Sequence, residues 1–299
     1  MLLHVDVSVG WLGPATVAVV VCATGSIYTA GWRRYRRRLP GRFAASRPAA
    51  FLGGLACLWA ALASPLDEAA DALLSAHMVQ HLLLFIAAPA LLLLGDPLLP
   101  VLRGLPDSLR RTVAAPLRWR ALRRASHALT HPAVTLLASS AAFWGWHSPT
   151  LYQLALRVPA IHLVEHASFL VAGTLFWYPV VQPWPSRPRW ARGAMIPYLL
   201  VADVQNTVLA AVFTFSDRVL YPFYEWHDRA GRAAALDDQV LAGVIMWVPM
   251  SLAYLAPAVS LTIRLLSPTT RDRHAARPSS DDASDPWTFP NRFLSDTKV

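Results

Sequence analysis

Charge and cysteine are both scarce in this chain. Only 15% of its 299 residues are charged, whereas soluble domains usually contain about 25%, and 55% are hydrophobic. The two cysteines, Cys22 and Cys57, form no C-x-x-C pair, and each lies inside an apolar run, where a free thiol packs as a small hydrophobic side chain. The composition therefore excludes an ordinary soluble domain and predicts no chemical role for the cysteines.

Long apolar runs take the place of the missing charge. Several exceed 18 residues, the length that indicates a transmembrane helix. The sequence therefore predicts an all-α polytopic membrane protein with one seven-span domain at 1–266. The first run lacks a basic leader and ends in arginines, so we expect it to be retained. A tail at 267–299, rich in Pro, Ser, Asp and Arg, is predicted to be disordered. The predicted spans are 11–31, 49–64, 73–95, 132–146, 159–181, 194–215 and 239–266.

Basic residues lie mostly on one side of these spans. The loops after spans one, three and five and the C-terminal end contain 7, 7, 3 and 6 arginines or lysines, whereas the opposite side contains four. The positive-inside rule then places the N-terminus outside and the C-terminus in the cytoplasm. Because the arginines cluster between apolar runs, the net charge of +9 does not indicate a nucleic-acid partner. His127 and His131 fall on the basic side and are excluded from any site at the outer face.

This topology gathers histidines from three spans at the outer face. His77 and His81 begin span three, and His162 and His166 begin span five. Each pair is spaced i, i+4, which places both rings on one face of a helix. His147 ends span four on the same side, as an additional or alternative ligand. Imidazole suits copper, zinc and iron, so the sequence predicts that a metal ion or a heme binds there.

Other side chains near this cluster have two interpretations each. Glu165 and Asp238 could hold the imidazoles in position or ligate a metal themselves. Met78 and Met246 offer thioethers that would favour Cu(I). Met78, however, lies about 100° round the helix from its histidine neighbour, so we predict that it packs against lipid or another helix.

Two patterns suggest different functions. His162-x-x-Glu165-His166 matches the H-x-x-E-H pattern of a zinc protease, but the downstream glutamate, Glu225, lies in a loop. Span six carries Asp203 near its middle, where a carboxylate is expensive unless it is paired or neutral. Asp203 belongs either to a hydrogen-bond cluster between helices or to a polar path or a proton or metal relay, and a polar path would make the chain a transporter.

Four linked motifs resemble the caa3-type cytochrome c oxidase assembly factor family, also called CtaG-like. The resemblance covers about 51–266. The motifs are His77-Met78-Val79-Gln80-His81 with Leu94-Gly95-Asp96-Pro97; Trp146-His147-Ser148-Pro149; His162-x-x-Glu165-His166 with Phe176-Trp177; and Asp238-Gln239 with Met246-Trp247-Val248-Pro249.

The resemblance implies a multi-pass protein of the bacterial cell membrane that is not an enzyme. It would help a heme-copper cytochrome c oxidase to mature at its copper-insertion step, as a chaperone. An oxidase subunit would be its client, and a copper donor protein is an optional partner. Copper, as Cu(I) or Cu(II), is the implied cargo, while a heme-binding membrane electron carrier and a metal transporter remain the alternatives. The implied metal-site residues are His77, His81, His147, His162 and His166, with Glu165 and Asp238 as weaker members.

Overall fold

The computed structural model describes residues 13–38, 45–184, 186, 190–227 and 231–267. Every regular element within these ranges is helical, which confirms the predicted all-α class. The predicted disordered tail lies, from residue 268 onward, outside the described residues. In chain order the helices are α1 (Pro14–Arg38), α2 (Ser46–Ala63), α3 (Pro65–Ala72), α4 (Leu74–Leu82), a π-helical turn (Leu83–Ala87), α5 (Ala88–Leu94), α6 (Leu98–Gly104), α7 (Asp107–Ala114), α8 (Arg120–Leu129), α9 (Pro132–Trp146), α10 (Pro149–Arg157), α11 (Pro159–Val181), α12 (Met195–Phe215), α13 (Pro222–His227) and α14 (Gly231–Leu266).

Six of the described helices are long and apolar enough to cross a membrane. They are α1, α2, the continuous helix from α4 to α5, α11, α12 and α14, and each contains the greater part of a predicted span. The main differences lie at polar ends. Helix α1 continues through the first basic cluster to Arg38, and α14 begins at Gly231, so that Asp238 lies within this helix and not in front of it.

The fourth predicted span has the predicted bounds but is short. Helix α9 has 15 residues and rises about 22 Å at 1.5 Å per residue, less than the roughly 30 Å of a bilayer core. It nevertheless packs within the bundle, against α11 and α12. The seventh crossing and the direction of the termini therefore stay predictions.

Proline sets the start of most helices around the histidines. Helices α3, α9, α10 and α11 carry proline in the first turn, where the missing N–H is one that a helix start leaves unbonded in any case. Ser64 and His131 cap two of them, accepting hydrogen bonds from the N–H groups of Leu66 and Ala133. The short helices α3, α10 and α13 form in stretches that separate the predicted spans.

Spans three and five lie side by side, and one glycine makes their close approach possible. A Cβ atom at Gly173 would lie 2.4 Å from the carbonyl oxygen of Phe85, so any larger residue would force the two helices apart. Phe85 belongs to the π-helical turn, a feature that often marks functional sites. Its ring packs in the core near the rings of Phe169 and Phe176, with ring centroids 5.9 and 6.1 Å apart.

Candidate metal centre

The two histidine pairs meet where α4 packs against the first turns of α11. Two groups of donor atoms are compact enough to hold an ion, and both include His77. The nitrogens of His77, His162 and His166 lie within 4.8 Å of one another, and so do the donor atoms of His77, His81 and Glu165. This proximity is what the hypothesis of a single site between spans three and five requires.

The group around Glu165 is the more deeply buried one. The Nε2 atoms of His77 and His81 are 2.9 Å apart, and they lie 3.9 and 3.5 Å from the Glu165 carboxylate oxygens. One donor atom from each of the three residues lies within 4.8 Å of the other two, which is close enough for a shared ion with metal–ligand bonds of about 2 Å. Glu165 is fully buried, yet neither carboxylate oxygen accepts a hydrogen bond from any described residue.

The second group places α11 histidines against the same ring of His77. The rings of His162 and His166 have centroids 4.1 Å apart, and the His77 centroid lies 5.2 Å from that of His162. The Nε2 atoms of both α11 histidines are buried, and the described part of the chain gives them no hydrogen-bond partner. His162 is half-buried, whereas His166 is buried, so the group runs from the protein surface inward.

The Asp238 carboxylate caps the N-terminus of α4, the helix that carries His77. Its Oδ2 atom accepts a hydrogen bond of 2.6 Å from the N–H of Leu74, and the carboxylate also accepts one from the N–H of Ser75 at 3.3 Å. These are the first two N–H groups of α4, which no helical carbonyl satisfies. A carboxylate there also interacts favourably with the helix dipole. The geometry of Asp238 thus suits a positioning role.

Tyr152 of α10 and Tyr224 of α13 pack beside His77, at the end of the bundle where α4 and α11 begin. The Tyr224 hydroxyl donates to the Ala70 carbonyl at 3.2 Å, and it lies 3.4 Å from Nδ1 of His77 and 3.0 Å from the Tyr152 hydroxyl. Since the carbonyl can only accept, the Tyr224 oxygen is free to accept from the Nδ1–H of His77, which leaves the lone pair on Nε2 facing the site. Burial raises the pKa of Tyr152 and of Tyr224, so both stay protonated.

Gln80 links this end of the bundle to an acidic side chain. Its Nε2 atom donates to the Ala61 carbonyl at 2.7 Å and to the Asp67 carboxylate at 2.8 Å. Burial raises the pKa of Asp67 above its ordinary value, and the hydrogen bond from Gln80 opposes that effect. The sequence alone predicts no role at the site for Gln80 or for Tyr224. The position of Gln80 within His77-x-x-Gln80-His81 is the one signal that could have singled it out.

His147 lies behind His81 and outside both compact groups. Their ring centroids are 5.7 Å apart. The Nδ1 atom of His147 donates to the Phe143 carbonyl at 2.7 Å, and the Tyr221 hydroxyl donates to the His147 carbonyl at 2.7 Å. Its Nε2 atom is buried and has no hydrogen-bond partner in the described ranges. His147 is therefore held in place by its backbone and by one nitrogen, while the other nitrogen is available.

The polar residues of α12 join helices rather than reach the histidines. Asn206 donates to the Met246 carbonyl at 3.2 Å, and Gln205 accepts from Trp144 Nε1 at 3.2 Å. Asp203 is half-buried, and its Oδ1 atom is buried without a hydrogen-bond partner among the described residues. Two of the three side chains thus match the predicted hydrogen-bond cluster between helices.

A comparison with models of protein families identifies the family of this chain. The model described as cytochrome c oxidase caa3 assembly factor matches residues 26–267. The chain belongs to this family. The match covers all four motifs and five of the six candidate membrane helices, and it begins within the remaining one, α1.

Among curated proteins, this family member is similar to uncharacterized proteins of mycobacteria. It is 28% identical to one from Mycobacterium bovis and one from Mycobacterium tuberculosis over 287 residues, 93% of this chain and 43% of each relative. It is 24% identical to one from Mycobacterium leprae over 302 residues, 95% of this chain and 44% of that protein. The chain thus spans less than half the length of these relatives. No solved structure matches it.

The donor set of this family member is suited to a transition metal. Imidazole nitrogens and one carboxylate are ligands for copper, zinc and iron, and buried polar atoms are almost always hydrogen-bonded unless they serve another purpose. Here His162, His166 and Glu165 all contain buried donor atoms without a partner in the described chain. These residues therefore fit a metal ion.

Proposed function

We propose that this oxidase assembly factor binds copper at the outer membrane face and passes it to a cytochrome c oxidase subunit. The observation that carries the proposal is the convergence of His77, His81 and Glu165, with a fully buried carboxylate that no described group hydrogen-bonds. An uncompensated buried carboxylate is costly, and a bound cation would remove that cost. The family supplies the client, because its members are described as assembly factors of the oxidase.

The histidines become more deeply buried from His162 to His77, and this arrangement supports the binding of an ion that can exchange. His162 is half-buried and interacts electrostatically with the carboxylates of Asp67 and Asp71, which would attract a cation to this end of the bundle. His77 lies beyond it and belongs to both donor groups. An ion can therefore change ligands one at a time, moving from His162 and His166 to His81 and Glu165 without leaving the protein.

Several smaller assignments complete the proposal. Asp238 holds α4 in position and acts on the metal only through His77, while His147 serves as an additional ligand behind His81, outside both compact groups. Glu165, enclosed beside two imidazoles, suits ligation better than activation of a solvent water, so the H-x-x-E-H pattern carries no protease activity. The histidines face the exterior if α9 completes a seventh crossing, with local thinning of the bilayer around this short helix.

Metal analysis of the full chain purified in detergent, combined with a visible spectrum, tests the proposal. We expect copper to bind without a Soret band. The substitutions His166→Ala and His81→Ala should each weaken copper binding by more than the roughly 10- to 100-fold that removing an outer partner costs. The matched controls His127→Ala and His131→Ala should leave copper affinity unchanged.

Two results would contradict this function. A Soret band in the purified protein would indicate heme and an electron carrier. Equal copper affinity in wild type and in both ligand variants would show that the histidines do not form the site.

A further inference from the structure

A small cavity lies directly behind the metal centre, deeper in the bundle. It measures about 10 Å³, room for the centre of a single water-sized particle. All five of the side chains on its wall that carry nitrogen or sulfur are buried. The wall consists of Met78, His81, Leu82, Phe85, Phe143, His147, Phe169, Met246 and Met250.

Two imidazoles on this wall contain a nitrogen that the rest of the protein does not use. His147 donates its Nδ1–H to the Phe143 carbonyl, an atom that can only accept, so the lone pair of the neutral ring is on Nε2. That Nε2 atom and Nδ1 of His81 are both buried without a hydrogen-bond partner in the described structure. Each ring therefore offers one unpaired nitrogen next to a cavity.

Methionine supplies the remaining donors. Met78, Met246 and Met250 are 1%, 3% and 4% exposed, so none of them faces lipid. Met246 and Met250 are spaced i, i+4 on α14, which puts both thioethers on one helix face, opposite Met78 on α4. Three of the five methionines of the chain thus meet around one cavity that also contains two histidines.

The charge of the wall selects the kind of ion. Apart from the histidines and methionines, the cavity wall consists of leucine and phenylalanine, and no carboxylate of the described residues lines it. A divalent cation would lose its hydration here with no anionic ligand in return. Thioether and neutral imidazole ligands instead prefer a soft ion, Cu(I) above all. The cavity therefore differs in chemistry from the outer centre, which contains Glu165.

We propose that this methionine–histidine pocket is a second metal site, selective for a soft monovalent cation of the Cu(I) class. Its ligands are His147, Met246 and Met250, with Met78 completing the shell. His81 belongs to both sites, because its Nε2 lies beside Glu165 and its ring lines the pocket. The inference rests on the proposed function for the source of the ion, which would reach the pocket from the outer centre past His81. Copper stays Cu(I) throughout the transfer, and only its ligands change.

Binding of Cu(I) to the detergent-purified full chain, measured by competition with a Cu(I) chelator, tests the pocket. We expect two Cu(I) ions per wild-type chain and one in the double variant Met246→Leu/Met250→Leu, because leucine preserves volume but lacks sulfur. The control Met195→Leu removes another buried methionine that does not line the pocket, and it should bind two. X-ray absorption of the wild type should show sulfur in the Cu(I) shell, and the double variant should lose that signal.

The possible results separate this pocket from the outer centre. Unchanged Cu(I) stoichiometry in the double variant, or a wild-type Cu(I) shell without sulfur, would overturn the pocket. If His162→Ala/His166→Ala abolishes copper binding while the methionine variants bind normally, the proposed function stands and the pocket fails. If only the methionine variants lose an ion, the pocket stands and the outer centre is wrong. The sulfur signal is read on the wild type and does not depend on how the variants fold.

Discussion

At the scale of single residues, Glu165 is the clearest sign of function. A fully buried carboxylate normally accepts several hydrogen bonds, but the Glu165 carboxylate, beside the His77 and His81 rings, has no hydrogen-bond partner among the described residues. A residue that lowers stability in the metal-free protein is informative, because packing alone would favour an apolar side chain there. The most economical explanation is that the carboxylate is satisfied by a cation.

Glu165→Gln separates the structural role of this residue from its ligand role. The amide keeps the shape but removes the charge, so we expect the metal-free protein to gain about 1 kcal/mol of stability. Copper affinity should fall by more than the roughly 10- to 100-fold that the loss of an outer partner costs, as expected for the histidine ligands. Thermal unfolding in detergent and copper titration measure the two effects. Glu68→Gln, on the exposed face of α3, is the control and should change neither quantity. Loss of stability without loss of affinity would show that Glu165 is structural.

Asp203, which is half-buried, is the carboxylate that the sequence singled out near the middle of span six. Its neighbours Gln205 and Asn206 already join α12 to α9 and α14, which favours a packing role for the whole group. We therefore expect Asp203→Asn to accumulate at the wild-type level and to support oxidase maturation, because the amide keeps the shape and can still hydrogen-bond. Oxidase activity in membranes measures this. Normal accumulation with failed maturation would instead assign a relay to Asp203.

At the scale of elements, the centre depends on how closely two helices approach. Helix α11 lies against the π-helical turn of span three because Gly173 has no Cβ. The π-helical turn begins at Leu83, two residues after His81, so we expect the same contact to influence the distance between the histidine pairs. A backbone contact outside the site would thereby affect the geometry inside it.

Gly173→Ala tests this dependence. The new methyl group would lie 2.4 Å from the Phe85 carbonyl oxygen, and we expect a loss of about 1–3 kcal/mol of stability from overpacking together with weaker copper binding. Gly145→Ala is the matched control, since a Cβ there meets nothing within 4 Å. It should stabilise α9 by about 0.5–1 kcal/mol. Thermal unfolding and copper titration of both variants measure the effects; equal behaviour of the two would remove the close approach from the explanation.

At the scale of the whole molecule, the orientation of the helix bundle in the membrane determines on which side of the membrane the histidine site lies. The short helices α3, α10 and α13 cover the same end as the histidines, and Asp67 and Asp71 lie at that end. The arginines of α7 and α8 belong to the loop that follows the opposite end of span three. The orientation that the positive-inside rule gives from these arginines stays a prediction.

Reporter fusions along the chain test this orientation. Fusions after Arg38 and after Arg124 should report a cytoplasmic location, and a fusion after Asp71 should report an external one, because basic residues are retained inside. Alkaline phosphatase and green fluorescent protein activities measure the two locations. A reversal at any one of the three positions would contradict the placement of the histidines at the outer face.

Sequence reasoning predicted the features that depend on local composition and did not predict those that depend on contacts between helices. Helix α11 has the predicted bounds, Pro159–Val181, because length and hydropathy define a span without reference to its neighbours. The covering helices α3, α10 and α13 were missed because they are short and mixed in polarity. The sequence leaves Asp238 as either a ligand or a positioning residue, because proximity in depth does not show which N–H groups a carboxylate meets.

The sequence by itself determined that this chain is a helical membrane protein whose histidine pairs lie at one end of two spans. Both properties follow from local quantities, namely the length of apolar runs and the 3.6-residue period of the helix. Only the tertiary structure decided that Glu165 lies beside His77 and His81, that Asp238 caps α4, and that three methionines line the cavity that His147 also lines. Those contacts depend on which helices are neighbours, how closely glycine lets them approach, and which rotamers fill the space between them. None of these is encoded in any single stretch of the chain.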